Sequence, residues 1–389
     1  MKTRKPLPAR RHTGGFTLIE LLVAVAIGMA LVLAITLMMV RYEGGRRTLT
    51  SLNDSSIGGA YVSYSLDRLV RSAGSGYAQA WRNAYGCQLV AARGGTTTLP
   101  RPGAFPAPFA SVPQAVRLAP VIVHAGAGTD GSDILAIHTG SSGLGESPLR
   151  LMTASATGTG VRVPSTLGIR GGDLVMVYQD ASSCMLQQVT AGFAGGADQA
   201  LNFGGTYAAS DIGGVRLEDM GRTDNAWVSV LGNTTGNRPL FQLLGVGPNA
   251  TLMSLDVLQI GGGDDLVAIA DGVADLRALY GVDTNDDGRV DSWQNPGTAG
   301  SPWRAAVLLD GSAASRTNLS RIVALRVGVI IRTSLPERED VAPNTITLFG
   351  DLGAGLTTTR TLTAAEKRLR WRSLDFTIPL RNVLLAPRP

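Results

Sequence analysis

Histidine and cysteine, the residues most often found in metal centres and among catalytic nucleophiles, are scarce in this chain. The 389 residues contain three histidines, His12, His124 and His138, and two cysteines. Structural zinc sites take four Cys or His ligands, so this supply argues against one. Ser132, Asp133 and His138 could supply the side chains of a hydrolytic triad, but no G-x-S-x-G nucleophile elbow accompanies them. The sequence therefore predicts a protein that is not an enzyme.

The excess of positive charge that nucleic-acid binding requires is missing from most of the chain. The formal net charge is +5, from 35 Lys and Arg against 30 Asp and Glu. Five basic residues lie in the first 11 positions, and removing them from the 35 leaves 30 basic against 30 acidic residues. The alternating Arg368, Arg370 and Arg372 indicate a solvated strand face, and the Gly-rich stretch 260–265 lacks the Lys-Ser/Thr pair of a phosphate loop. We therefore expect no nucleotide and no nucleic-acid partner.

A long apolar run lies near the N-terminus, from Leu21 to Val40. About 20 helical residues at ~1.5 Å each span the ~30 Å hydrocarbon core of a bilayer. The five basic residues precede this run, so the positive-inside rule places the N-terminus in the cytoplasm. A secretory signal would have a shorter apolar region and small residues at a cleavage site. The sequence predicts a single-pass membrane protein with an extracytoplasmic body.

One carboxylate, Glu20, stands at the start of this apolar segment, just after Gly14, Gly15 and Phe16. The stretch GGFTLIELLVAVAIGMALVLA resembles the N-terminal signature of type IV prepilins and pseudopilins. The resemblance implies that a prepilin peptidase cuts between Gly15 and Phe16 and methylates the new terminus on Phe16. A carboxylate in lipid is tolerated when it faces a positive partner, and the new amine of the same or a neighbouring subunit would be one. A plain membrane anchor, the alternative, gives no reason for these residues.

The two cysteines, Cys87 and Cys184, lie in the part of the chain that is predicted to be exported, where oxidation is permitted. A disulfide between them would stabilise the fold by roughly 4 to 5 kcal/mol in the chain-entropy model. Two buried free thiols are the alternative.

The residues after the span predict an α+β fold. Apolar residues that include Ile57, Tyr61 and Tyr64 recur at three- and four-residue steps as far as Ala73, which is typical of an amphipathic helix. Two glycine pairs, at 44–45 and 58–59, should bend or locally melt this helix. Short β-rich runs then follow without helical crossovers, which favours an antiparallel sheet. These runs lie within 115–125, 132–140, 173–180, 225–232, 321–334 and 373–385.

Three regions follow from these patterns. Residues 1–15 form a basic prepilin leader. Residues 16–73 form a long helix, with a membrane span at about 16–40 and an amphipathic second half. Residues 74–389 form a β-rich extracytoplasmic domain packed on that helix, as in type IV pilins. Two stretches that are rich in Gly, Pro and Thr, 88–115 and 191–225, read as long loops inside this domain.

Several stretches resemble the PilW group of minor pilins across nearly the whole chain. They are SYSLDRLVRSAGSGY, YGVDTNDDGRVDSW, RIVALRVGVIIRTS and FTIPLRNVL. The resemblance implies a structural subunit of the initiating or tip complex of a type IV pilus, which supports twitching motility and adhesion. It implies as partners the prepilin peptidase, other minor pilins, the major pilin, a tip adhesin and inner-membrane lipid. A J-type pseudopilin of type II secretion is the near alternative, and a membrane-anchored binding module is the alternative from another class.

One acidic stretch, DTNDDGRVDSW, has the spacing of a calcium loop. Asp283, Asn285 and Asp287 alternate, Gly288 permits a tight turn, and the carbonyl of Arg289 and the side chain of Asp291 occupy the next ligand positions. The bidentate Glu expected at the twelfth position is Gln294. The sequence thus predicts either a weak calcium site or a hairpin whose acidic side chains cap the turn.

Overall fold

The computed structural model describes residues 15–141, 147–179, 183–196, 200–222 and 225–387. Residues 1–14, which contain nearly all of the predicted leader, lie outside the described residues. The chain divides into two units, one that ends at Asn53 and one that begins at Asp54.

The longest element is helix α1, Leu18–Ser72. Its first 25 residues, Leu18–Tyr42, are long and apolar enough to cross a membrane, and their side chains are exposed. The helix continues through both glycine pairs without interruption, so the predicted local melting is wrong. Each glycine costs a helix only ~1 kcal/mol relative to alanine, which the rest of a helix of this length can offset.

The last turns of α1 bury one face in the main core of the second unit. Val62, Leu66 and Val70 follow each other at four-residue steps and are at most 1% exposed. Of the apolar residues that marked the amphipathic pattern, Val70 and Ala73 are buried, whereas Ile57, Tyr61 and Tyr64 are more than half exposed. The helix is therefore amphipathic as predicted, but its buried face lies in the last turns and includes only part of the predicted pattern.

The remaining helices in the described residues are short. They are α2 Trp81–Ala84, α3 Ala305–Leu308, α4 Ala313–Arg321 and α5 Arg381–Leu384. The strands are β1 Gln88–Arg93, β2 Thr96–Leu99, β3 Val121–His124, β4 Ile134–Thr139, β5 Leu149–Arg150, β6 Gly160–Arg162, β7 Asp173–Gln179, β8 Ser183–Gln188, β9 Ala200–Asn202, β10 Asp211–Ile212, β11 Val215–Arg216, β12 Ala226–Asn233, β13 Leu240–Gly247, β14 Thr251–Asp256, β15 Leu266–Asp271, β16 Val273–Val282, β17 Ser292–Gln294, β18 Ile322–Arg332, β19 Thr345–Leu348, β20 Thr358–Thr361 and β21 Trp371–Pro379.

Three sheets carry most of the strands, in the orders β2-β1-β8-β7-β12-β5, β15-β14-β13-β4-β3 and β17-β16-β18-β21. Pairing is antiparallel as predicted, except that β1 runs parallel to β8. The two stretches predicted as loops contain β1 and β2 and, further along, β9 to β11. That prediction is therefore wrong in part, because β2 and β9 to β11 are too short to show a period of two, and β1 is buried along its middle and does not alternate.

The six-stranded sheet is covered on both faces. In β7, Leu174 and Met176 belong to the main core, while Val175 and Val177 belong to a second apolar cluster on the other face. Successive strand residues point to opposite faces, so a sheet that is buried on both sides needs an unbroken apolar run. This requirement explains the sequence DLVMVYQ.

The four-stranded sheet receives α1 at Gly59. A Cβ at this position would stand 3.0 Å from the Cδ1 atoms of both Ile331 and Leu374, on β18 and β21. A Cβ at Gly58 would meet only the carbonyl oxygen of Asp271, at 3.9 Å. Gly59 thus lets the helix approach the sheet closely, whereas Gly58 does not serve that contact.

The two glycines should respond differently to substitution by alanine. Gly58→Ala should raise the free energy of unfolding by about 0.5–1 kcal/mol, because alanine favours the helix. Gly59→Ala gains the same propensity but crowds two methyl groups, so it should be less stable than Gly58→Ala by about 1 kcal/mol. Denaturant unfolding of both variants measures the difference. Equal stability, or a more stable Gly59→Ala, would contradict the close contact.

Candidate functional site

The backbone before α1 positions the predicted processing residues. Gly15, Phe16 and Thr17 are not helical. The amide of Glu20 donates to Thr17 Oγ1 at 3.3 Å, and the amide of Leu21 donates to the Thr17 carbonyl at 3.1 Å. Thr17 therefore caps the helix, and Glu20 lies at the third helical position, although its carboxylate does not accept a hydrogen bond from the Thr17 amide. The T-x-x-E spacing indicates this role of Thr17, which was not predicted from the sequence.

The carboxylate of Glu20 is exposed and makes no hydrogen bond or ion pair with any residue in the described part of the chain. Its place in the first turn favours a negative charge, because unpaired N–H groups give the helix N-terminus a partial positive charge. Phe16 beside it is 84% exposed. The carboxylate of Glu20 is therefore free to accept hydrogen bonds from a cationic group outside this chain.

Small residues follow on the same helix. A Cβ added at Gly28 would meet nothing within 4 Å, so no contact within this chain requires a glycine there. Small residues in membrane helices let a second helix approach closely. The segment that follows Glu20 is therefore suited to helix packing.

Cys87 and Cys184 are joined by a disulfide, so the alternative of two free thiols is wrong. Their Cα atoms lie 5.6 Å apart, and both side chains are buried. Cys87 directly precedes β1, and Cys184 pairs with Leu89 across the parallel ladder of β1 and β8. The bridge thus fixes the one parallel pair among the described strands. The two cysteines that it joins are 97 residues apart in sequence.

The predicted calcium loop is the turn of a β-hairpin, and no helix flanks it. It joins β16 to β17, which pair antiparallel from Tyr280 with Gln294 to Val282 with Ser292. The residues before the loop are therefore a strand, and the helix-loop-helix frame of an EF-hand is absent from this segment.

The polar side chains of this turn accept hydrogen bonds from the turn itself. Asp283 Oδ2 accepts from the Gly288 amide at 2.7 Å, and Asp291 Oδ2 accepts from the amide and hydroxyl of Thr284, both at 2.7 Å. The bonds from Thr284 lower the pKa of Asp291. Asn285 Oδ1 accepts from the Asp287 amide at 3.0 Å, and Asp287 Oδ1 accepts from the Arg289 amide at 2.8 Å.

These bonds are those of a capped turn, which is the second of the two alternatives that the sequence predicts for this stretch. In the described residues, no group of three or more His, Cys, Asp or Glu side chains is placed to hold a metal ion. The structure therefore gives calcium no support, and calcium binding by this loop stays a prediction.

Ser132, Asp133 and His138 do not form a triad. Both ring nitrogens of His138 and the hydroxyl of Ser132 are buried without a hydrogen-bond partner. His138 instead stacks on Phe241, with ring centroids 4.8 Å apart. Asp133 accepts from the backbone amides of Gly126 and Ala278, at 2.8 and 2.9 Å. A serine nucleophile needs a histidine that is hydrogen-bonded to it, and this histidine has no such bond.

Replacing His138 by leucine should flatten the pH dependence of stability between pH 6.5 and pH 4. Burial lowers the pKa of His138 from 6.5 to about 4, so the unfolded chain binds this proton first as the pH falls. The contribution of neutral His138 to the free energy of unfolding is fully present above pH 6.5. It falls toward pH 4 by about 1.4 kcal/mol per pH unit.

Denaturant unfolding of the wild type and of His138→Leu over this pH range measures the difference in slope. A difference is needed because Asp133, whose pKa burial raises to about 6, contributes the opposite slope in both proteins. His124, whose pKa is lowered to about 4, is likewise common to both. Parallel curves would show that His138 does not titrate as a buried, unpartnered group.

Known families match both ends of this architecture. The model of the prokaryotic N-terminal methylation motif matches residues 10–36, which include the cap and Glu20. The model of type IV pilus-assembly protein W, PilW, matches residues 243–382. That stretch runs from β13 to α5 and contains the sheet that receives Gly59. Neither a curated protein nor a solved structure matches the chain significantly.

The fold and the N-terminal segment define a type IV pilin-like protein with a prepilin signature. The C-terminal region, residues 243–382, is similar to PilW. This match covers just over a third of the chain, so it is narrower than the resemblance across nearly the whole chain that the sequence predicts. Both matching families are structural pilin components and not enzymes.

Proposed function

We propose that this protein is a minor pilin that is cut after Gly15, anchored in the inner membrane, and built into the initiating or tip complex of a type IV pilus. The observation that supports this proposal best is the exposed apolar helix Leu18–Tyr42, with the unpartnered carboxylate of Glu20 in its first turn. A single helix that only anchored a domain would need no charge in that place.

In this proposal the two units have different tasks. The apolar helix binds other pilin helices, and its association is driven by packing in lipid and by the pairing of Glu20 with the amine of Phe16. The β-rich unit, which the disulfide stabilises, lies in the periplasm before assembly and on the cell surface afterwards. Its partners are other minor pilins, the major pilin and a tip adhesin, and through them the protein supports twitching motility and attachment.

Mass spectrometry of the protein from its native membrane tests the processing step. The expected N-terminus is methylated Phe16 in cells that possess a prepilin peptidase, and unprocessed Met1 in cells that lack it. Gly15→Val should block cleavage, whereas Gly14→Ala should not, because the cut falls after Gly15. An intact leader in cells with the peptidase would overturn the proposal and favour a simple tether.

The choice between a pilus and a secretion pseudopilus is tested by copurification. A minor pilin should be recovered with sheared type IV pili and should decrease when the major pilin is deleted. Recovery with type II secretion proteins alone would favour the pseudopilin alternative.

A further inference from the structure

A cavity of about 460 Å³ lies in the β-rich unit, away from the residues that the proposed assembly uses. Its walls come from two segments, 111–127 and 296–309, which are far apart in sequence. The polar side chains in the wall include Arg117, His124 and Arg304, and apolar side chains such as Pro113 and Leu309 complete it. The volume lies within the range of about 300–1,000 Å³ that is usual for small-ligand sites.

His124 presents an unsatisfied polar ring to this cavity. The residue is only 9% exposed, and its ring has no hydrogen-bond partner among the described residues. Burial lowers its pKa to about 4, so the imidazole is neutral and can both donate and accept at neutral pH. The ring nitrogens of His124, unlike those of His138, are not sealed from solvent, so they are available to a hydrogen-bond partner in the cavity.

The charged side chains in the cavity wall, Arg117 and Arg304, are both positive, and no carboxylate lines the cavity among the described residues. Arg304 is exposed, and its side chain has no carboxylate partner within the described ranges. Arg117 donates from Nη1 to the carbonyl oxygen of Gly86 at 2.6 Å, which fixes its guanidinium without neutralising it. Asp310 outside the wall interacts electrostatically with Arg117, and it accepts from the Ser312 amide at 2.7 Å.

A second cavity, which shares Ala125 and Gly297 with the first, provides a contrast. Its arginine, Arg277, lies 3.6 Å from Asp133 and 2.9 Å from Asp275, so its charge is matched by buried carboxylates. The arginines of the first cavity form no such ion pair among the described residues. The first cavity is therefore the more favourable of the two for an anion.

We propose that the first cavity binds a small organic carboxylate about the size of a sugar acid. Arg304 binds the carboxylate, because a guanidinium presents parallel N–H donors that match its two oxygens, and Arg117 adds positive charge to the wall. The ring of His124 exchanges a hydrogen bond with a ligand hydroxyl, and the apolar wall packs against the carbon skeleton. His124 ends an apolar, strand-like run, where a histidine is more often structural, so the sequence did not predict a ligand role for it.

Saturation-transfer NMR on the full-length protein in detergent tests the proposal, with D-galacturonate as the probe. Galacturonate should bind, and D-galactose, which has the same ring without the carboxylate, should not. Arg304→Gln should weaken galacturonate binding at least tenfold. Arg381→Gln is the matched control, because it removes the same charge from an exposed arginine on α5, outside the cavity.

Three outcomes would overturn the proposal. They are the absence of galacturonate binding at about 10 mM, equal binding of galactose and galacturonate, and equal weakening of galacturonate binding by Arg304→Gln and Arg381→Gln. Arg304 is exposed, so its substitution should not unfold the protein, and an unchanged melting temperature verifies this. Processing and pilus incorporation of Arg304→Gln should be normal, which keeps this test separate from the proposed function.

Discussion

Replacing Glu20 by glutamine should lower the amount of this protein in purified pili at least tenfold while membrane insertion and cleavage after Gly15 stay normal. The carboxylate has no partner among the described residues and lies at the start of an exposed apolar helix. In lipid, its charge is stabilised only when an assembly supplies a cation. A tenfold loss corresponds to about 1.4 kcal/mol, less than a fully formed charge pair in lipid should contribute.

The cap that Thr17 provides makes the choice of variant important. Glutamine has the length of glutamate and a similar helix propensity, so Glu20→Gln removes the charge alone. Glu20→Ala removes the charge and most of the side chain, and Thr17→Ala removes the cap but leaves the charge. If charge pairing matters, the two Glu20 variants lose incorporation alike and Thr17→Ala loses little.

The measurement is an immunoblot of sheared pili normalised to the membrane fraction. Normal incorporation of Glu20→Gln would show that assembly does not need the charge, and a defect in Thr17→Ala alone would show that it needs the helix cap of Thr17 instead.

Removing the disulfide should give the largest loss of stability in the β-rich unit. The bridge joins residues 97 positions apart, and closing a loop of about that length stabilises by roughly 4 to 5 kcal/mol in the chain-entropy model. The double variant Cys87→Ala with Cys184→Ala should therefore melt roughly 10 °C or more below the wild type. Both cysteines are replaced together so that no free thiol is left to form other bridges.

Reductant provides the internal control for this experiment. Dithiothreitol should lower the melting temperature of the wild type and leave that of the double variant unchanged. Because the bridge holds β1 beside β8, amide exchange should increase first in β1. If the oxidised wild type and the double variant melt together, the bridge contributes no stability and the loop-closure argument fails.

The parts of the fold that the sequence predicted are those with a strong local pattern. The apolar run of the N-terminal helix and the long strands β7, β12, β18 and β21 each contain enough consecutive residues to show their period or their complete burial. Strand β1 has six residues, of which the middle four are buried, so it shows no alternation and its flanks resemble a loop. Its place depends on a partner, β8, that the sequence does not reveal.

Two features of the candidate sites depended on tertiary context in the same way. The acidic turn after β16 has the spacing of calcium ligands in the sequence. In the hairpin, however, its carboxylates accept hydrogen bonds from backbone amides. The cavity beside His124 needs 111–127 and 296–309 to meet, which no local pattern encodes. Thr17 and Glu20, in contrast, act over three residues and were within reach of sequence reasoning.

The non-helical backbone at Gly15, Phe16 and Thr17 bears on how a protease could reach its bond. Proteases bind their substrates in an extended conformation, so a helical segment would first have to unwind and lose its backbone hydrogen bonds. The bond between Gly15 and Phe16, which we propose is cut, lies before the first helical turn, and the Thr17 cap keeps that turn from extending over it. Under the proposed function, cleavage would therefore need no unwinding of the apolar helix.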